Sequence, residues 1–214
     1  MVKVKICGLR VAREICFINQ VLPDYAGFVF APSRRRITPF EAARLIDALD
    51  TKILPVGVFV NEAVDTIVRT VRLCGLRVVQ LHGEEGPEVL EALRFNISSG
   101  VELWKSLKMP YASKTQRPLL HEIPGLTPGS WDRILYDGAL PGSGIPLNLG
   151  LLPSSLENCI LAGGLSPANI NEILQKTNPY GVDVSTGVEG ADGFKDLALI
   201  IKFIEAIRNK EERQ

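Results

Sequence analysis

Residue types with acid–base, thiol or anion-binding chemistry recur at one kind of place in this chain, the ends of short apolar runs. Cys7 follows Val2 to Ile6, the Ser33-Arg34-Arg35-Arg36 loop follows Tyr25 to Phe30, and Gln80 and His82 fall at the end of Val78 to Leu81. Asp137 follows Arg133 to Tyr136, Gly163-Gly164 follow Cys159 to Ala162, and Asp183 to Gly187 close Gly181 to Val184. A thiol with a depressed pKa or a cationic neighbour is a base or nucleophile. A carboxyl group beside an apolar run has a raised pKa and serves as an acid near neutral pH. The bland readings stand beside these: Cys7 as a small buried hydrophobe, Asp137 as a turn cap.

Three Gly-rich pieces carry a second kind of chemistry. Gly142-Ser143-Gly144, Gly163-Gly164 and Ser185-Thr186-Gly187 allow backbone N–H groups to approach an anion, with hydroxyls as extra donors. Helices that follow such loops point their N-termini at it. Each loop alone is an ordinary tight turn; three in adjacent late units point to a phosphate. The arginine triplet reads as a solvated loop or as a carboxylate clamp, since guanidinium pairs with carboxylate through two parallel bonds.

The elements that must hold these residues follow from the apolar runs. Besides those above, Ile53 to Val60 and Glu102 to Leu107 complete a set of eight. Their starts lie roughly 22 to 31 residues apart, room for a strand, a crossover helix and two short loops. Thr38-Pro39 reads as a helix N-cap and first helical position, and Asn61, Ser166-Pro167 and Leu197 to Ile207 open or continue other helices. Strands this apolar suit a parallel sheet covered on both faces. Eight βα units predict a single (β/α)8 TIM barrel, one α/β domain over 1–214. An open doubly wound sheet would carry G-x-G-x-x-G after its first strand, and Cys7-Gly8-Leu9-Arg10 stands there instead. Pro110, Pro118, Pro124 and Pro128 predict a short or irregular helix in unit five, and Arg208 to Gln214 a fraying helix end.

Composition narrows the partners. With 24 Lys+Arg against 24 Asp+Glu the chain offers no basic face for nucleic acid. The N-terminus lacks the apolar region of a signal peptide, and no apolar run approaches the roughly 20 residues that span a bilayer. Cys7, Cys16, Cys74 and Cys159 show no metal-binding spacing and read as free thiols in a reducing, cytoplasmic setting, the last three as packing residues.

Lys5-Ile6-Cys7-Gly8-Leu9, Gly27-Phe28-Val29-Phe30, Arg35-Arg36-Ile37-Thr38-Pro39, Val56 to Asn61, Val79 to Glu85, Leu161 to Pro167 and Gly181 to Glu189 together resemble the phosphoribosylanthranilate isomerase family of tryptophan biosynthesis. The likeness runs in order from residue 3 to about 196. It implies a small (β/α)8 barrel that carries out an Amadori rearrangement of a small-molecule sugar phosphate without metal or cofactor. On that resemblance Asp137 is the general acid and Cys7 the general base. Arg35 or Arg36 binds the anthranilate carboxylate, because the loop looks one residue short and both alignments fit. Gly142, Ser143, Gly144, Gly163, Gly164, Ser185, Thr186 and Gly187 cradle the phosphate, Asp183 lies near the sugar hydroxyls or the aryl amine, and His82 faces the pocket or makes a structural hydrogen bond. The chain would be a monomer or homodimer.

One loop departs from the family pattern G-G-[S/T]-G-K-x-F-[D/N]-W: here Ile145, Leu147 and Leu149 replace the Lys, Phe and Trp. The lost Lys removes one cation from an anion site. Two alternatives therefore stay open, another sugar-phosphate barrel enzyme (an epimerase or lyase, with Lys105 as its one obvious lysine) and a weakly catalytic phosphate-ligand binding module.

Overall fold

The computed structural model describes residues 1–109, 130–138 and 149–211. Eight parallel strands close into a barrel in sequence order. They are β1 (Lys3–Cys7), β2 (Tyr25–Val29), β3 (Leu54–Phe59), β4 (Val78–Leu81), β5 (Glu102–Lys108), β6 (Arg133–Asp137), β7 (Cys159–Ala162) and β8 (Gly181–Val184). Each matches one of the eight apolar runs to within about a residue at either end. Closure pairs Lys3 to Ile6 of β1 with Gly181 to Val184 of β8, which leaves no exposed sheet edge.

Among the described residues six α-helices wrap the barrel: α1 (Ala12–Val21), α2 (Pro39–Ile46), α3 (Val64–Cys74), α4 (Pro87–Asn96), α5 (Ile170–Lys176) and α6 (Leu197–Glu211). Unit six shows a single 3-10 turn at Leu149–Leu151. Thr38 caps α2 as its sequence predicts, its hydroxyl accepting from the Glu41 N–H while the Glu41 carboxylate accepts from the Thr38 N–H. Asn61 does not open α3. It sits in the left-handed region at φ 49, its side chain accepts from the Glu84 N–H, and the helix begins at Val64. The Asn61 side chain thus ties the loop after β3 to the loop after β4 and does not cap a helix. The predicted irregular helix of unit five lies outside the described residues, except Met109, which is buried directly after β5. So does the chain end beyond Glu211.

Period-two alternation sorts the strands into two apolar layers. Ile6, Phe28, Phe59, Val79, Leu103, Leu161 and Val182 face outward and pack with Ile15, Ile67, Leu90 and Phe203 of the helices. Tyr25, Val56, Val78, Trp104, Leu135 and Ile160 fill the interior as a separate cluster. Toward the N-terminal ends of the strands this filling is aromatic: Tyr25 and Trp104 meet edge-on at 4.8 Å, and the hydroxyls of Tyr25 and Tyr180 lie 2.8 Å apart. The Arg133 guanidinium lies 4.1 Å from the Tyr180 ring centroid. Such contacts contribute on the order of 1 kcal/mol each beyond area burial.

The same alternation decides what stands above that floor. Lys5 and Cys7 share a face of β1, and likewise Val78 and Gln80 on β4, Trp104 and Ser106 on β5, Leu135 and Asp137 on β6, Gly181 and Asp183 on β8. On β4, β5 and β6 an interior apolar residue is followed two positions on, on the same face and nearer the C-terminal end, by a polar one. Cys74 and Cys159 are buried, as packing residues should be, and burial pushes both thiols up to about 11. Cys16 departs from that expectation: it lies exposed on α1, on the face turned from the barrel.

Candidate functional site

The C-terminal strand ends gather the predicted residues into one mouth, with two acid–base groups on different sides of it. Cys7 sits at the end of β1, its thiol against β2, where Gly27 leaves the space: a Cβ there would stand 2.8 Å from the sulfur. Burial pushes the Cys7 thiol up, and the ammonium groups of Lys5 and Lys195 oppose that push, while Asp183 adds to it. Lys5 is fully buried and donates to Asp183 Oδ2 at 2.7 Å. Burial alone would lower the Lys5 pKa; Asp183 and Cys7 raise it above its ordinary value. Asp183 Oδ1 is buried with no protein partner, an acceptor facing a donor that the protein does not supply.

Asp137 ends β6 across the barrel. Its carboxylate Oδ2 lies 3.2 Å from His82 Nε2, and both side chains are partly open to the mouth. Behind the ring, His82 Nδ1 meets Ser106 Oγ at 2.8 Å and the Gln80 amide nitrogen at 3.0 Å. These contacts hold the ring by its Nδ1 edge and leave Nε2 turned to Asp137. Gly163, at φ +86, leaves room for the carboxylate, since a Cβ there would stand 2.7 Å from Asp137 Oδ1 and would collide with the Gly138 backbone. Gly163 thus has a spatial duty toward Asp137 besides any duty toward an anion.

The late loops line the rest of the rim. Gly163 and Gly164 both take positive φ, and Gly187 packs against the Leu165 carbonyl so closely that no side chain fits. Ser185 donates to the Cys7 carbonyl, which ties the loop after β8 to the end of β1. Thr186 accepts from Arg35. Gly142, Ser143, Gly144, Ile145 and Leu147 lie outside the described residues; Leu149 opens the 3-10 turn. Of the two candidate arginines, Arg35 turns over Gly8 toward the mouth and is bonded to Glu189 and Thr186. Arg36 pairs through its backbone with Val29, and its side chain is exposed.

Sequence reasoning missed four groups that hold this mouth in shape. Lys5 was legible in principle, because residue i−2 of a strand shares the face of Cys7. Ser106 required the β4–β5 register. Glu189 and Lys195 required the fold of the loop after β8. Lys195, nearly fully buried, donates to the Ser185 carbonyl and to Glu189 Oε1, both at 3.0 Å, and burial lowers its pKa. Lys105 is buried as well, but it donates to Glu85 at 2.7 Å and to the Gly83 carbonyl, so it braces the loop after β4.

Comparison with known proteins agrees with this geometry. The family described as N-(5'phosphoribosyl)anthranilate (PRA) isomerase matches residues 4–206. The N-(5'-phosphoribosyl)anthranilate isomerase of Acetivibrio thermocellus is 39% identical over 222 residues, covering 99% of this chain and 98% of its own. The crystal structure of phosphoribosyl anthranilate isomerase from Thermus thermophilus superposes with a TM-score of 0.82 at 31% identity, over 97% of this chain and 99% of that one. A phosphoribosyl anthranilate isomerase in complex with reduced 1-(o-carboxyphenylamino)-1-deoxyribulose 5-phosphate gives a TM-score of 0.80 at 31% identity, over 98% of this chain and all of that one, 100%.

Proposed function

This chain belongs to the N-(5'-phosphoribosyl)anthranilate isomerase family, and we propose that it converts N-(5-phosphoribosyl)anthranilate into 1-(o-carboxyphenylamino)-1-deoxyribulose 5-phosphate through Asp137 as general acid and Cys7 as general base. The observation that carries the assignment is the separation of the two groups, a carboxyl beside an imidazole on one side and a thiol beside two ammonium groups on the other.

Protonated Asp137 delivers its proton to the ribose ring oxygen. The C1–O bond breaks as the aryl amine lone pair forms C=N, giving an open-chain iminium. The resulting Asp137 carboxylate is held by the His82 Nε2–H. Cys7 thiolate then takes the proton from C2, and the electron pair of that C–H bond neutralises the iminium to an enolamine. A proton gained at C1 and one lost from the C2 hydroxyl complete the ketone. Each acid–base role accelerates its step about 10²- to 10⁴-fold. The orphaned Asp183 Oδ1 supplies an acceptor for a donor of the substrate, the aryl amine or a sugar hydroxyl.

The two substrate anions are received by different devices. Arg35 takes the anthranilate carboxylate, since its guanidinium is bonded to Glu189 and Thr186 of the loop after β8 while the side chain of Arg36 is exposed. The phosphate is received by the backbone N–H groups of Gly163, Gly164 and Gly187 and the Thr186 hydroxyl, with Ser185, bonded to the Cys7 carbonyl, shaping the loop and Gly142 to Gly144 adding further donors. No group in this scheme requires a metal or cofactor, and a cytoplasmic location fits the chemistry. The test is the decay of anthranilate-type fluorescence when purified protein is added to phosphoribosylanthranilate in the presence of a chelator. Sustained turnover supports the assignment; no turnover, or turnover that depends on added divalent metal, overturns it.

A further inference from the structure

Glu189 is the most heavily bonded carboxylate at the mouth, and the scheme above gives it no part. Its side chain is 5% exposed and receives four bonds from three cations: Arg35 Nε at 2.6 Å and Lys195 Nζ at 3.0 Å on Oε1, Arg34 Nη2 at 2.6 Å and Arg35 Nη2 at 3.0 Å on Oε2. Burial would raise its pKa, yet Arg35 and Lys195 hold it down to about 2, so it is ionised throughout the working range. We infer that Glu189 is a positioning residue for substrate recognition: it grips the Nε–Nη2 edge of Arg35, fixing the guanidinium so that its remaining Nη1 is presented to the carboxylate of the substrate. This inference rests on the reading that Arg35 binds that carboxylate.

Three features support it. A side-on bidentate pair fixes both the position and the plane of a guanidinium, where a single bond would leave it to rotate. The stem of Arg35 crosses Gly8, at φ +87, where a Cβ would collide with its Cδ, so the arm is confined from below as well. And three cations facing one carboxylate leave a surplus of positive charge, so the grip on Arg35 does not cancel the attraction for an incoming anion. The outer cation, Arg34, is 60% exposed and reaches Glu189 from the solvent side.

The test compares two probes, reduced 1-(o-carboxyphenylamino)-1-deoxyribulose 5-phosphate and the same compound with hydrogen in place of the ortho carboxylate. Dissociation constants are measured for wild type, Arg35→Ala, Glu189→Gln, Glu189→Asp and the double variant Arg35→Ala/Glu189→Gln. Glu189→Gln should weaken the carboxylate-bearing probe about tenfold, the scale of one charge-assisted hydrogen bond, and leave the decarboxylated probe within about twofold. In the Arg35→Ala background it should add nothing. Glu189→Asp keeps the buried charge, and with it the fold, but withdraws the oxygens, and it should show the same selective loss. Equal weakening of both probes, or no weakening in either Glu189 variant, overturns the inference while Arg35→Ala still discriminates between the probes. If Arg35→Ala itself fails to discriminate, the carboxylate-clamp reading falls first.

Discussion

The β1–β8 side of the mouth and the β6 side surround their titratable groups by opposite means. Around Cys7 everything is buried and charged: Lys5, Asp183, Lys195 and Glu189 are each at most 9% exposed in their side chains. Around Asp137 the side chains of His82, Gln80 and Ser106 are hydrogen-bonded in a chain, and His82 and Asp137 are partly open. Burial pushes the Cys7 thiol up, and the ammonium groups of Lys5 and Lys195 work against that push. The Asp137 carboxyl instead faces one imidazole edge at 3.2 Å. Placing two titratable groups in unlike surroundings is how one pocket runs acid and base steps at one pH.

The largest breaks of this contrast are direct. Cys7→Ala and Asp137→Asn should each lower kcat about 10²- to 10⁴-fold with an unchanged circular dichroism spectrum, as read by the fluorescence assay; near-normal turnover in both would remove the acid–base assignment. Next comes Lys5→Met, which leaves Asp183 buried without its partner and should cost about 3–5 kcal/mol in urea unfolding. The same variant should move the pH at which Cys7 becomes alkylated upward, because the ammonium that opposes burial is gone. On the other side Ser106→Ala removes one of two bonds to His82 Nδ1 while the Gln80 amide remains, so kcat should fall only about fivefold.

Acid stability gives a subtler test. The Glu189 carboxyl is held at about 2 in the folded chain against an ordinary value of 4.5. A depressed pKa contributes stability that is complete above about 4.5 and is lost as the pH falls toward 2. The unfolding free energy of wild type should therefore drop across that window more steeply than that of Glu189→Gln, measured by urea titrations at stepped pH. The smallest effect is expected far from the mouth. Lys176→Ala breaks the exposed pair with Glu172 on α5 and should leave the urea unfolding midpoint essentially where it is in wild type.

The barrel was legible because its strands announce themselves: apolar, β-branched runs at a spacing too wide for hairpins and wide enough for a crossover helix. The α2 start was legible from Thr38-Pro39 because capping is a local bond within one turn. Asn61 misled for the complementary reason. Its side chain answers a backbone N–H at Glu84, 23 residues on, and no local pattern reports that. The residues at strand ends were legible as a set, since a parallel barrel brings every C-terminal end to one mouth. Their partners were not. The Arg35–Glu189 pair spans 154 positions and Lys5–Asp183 spans 178, separations fixed only by closing the barrel. The proposed preference for Arg35 over Arg36 rests on which of two neighbours passes over Gly8, a matter of backbone direction that composition does not encode.

The aromatic floor beneath the site carries its own consequence. Tyr25, Trp104 and Tyr180 close the barrel from below, so Lys5, Asp183 and the Cys7 thiol stand on an aromatic base. On the proposed mechanism, the proton that leaves C2 is set down among buried side chains, and the groups that line the mouth decide where it goes next.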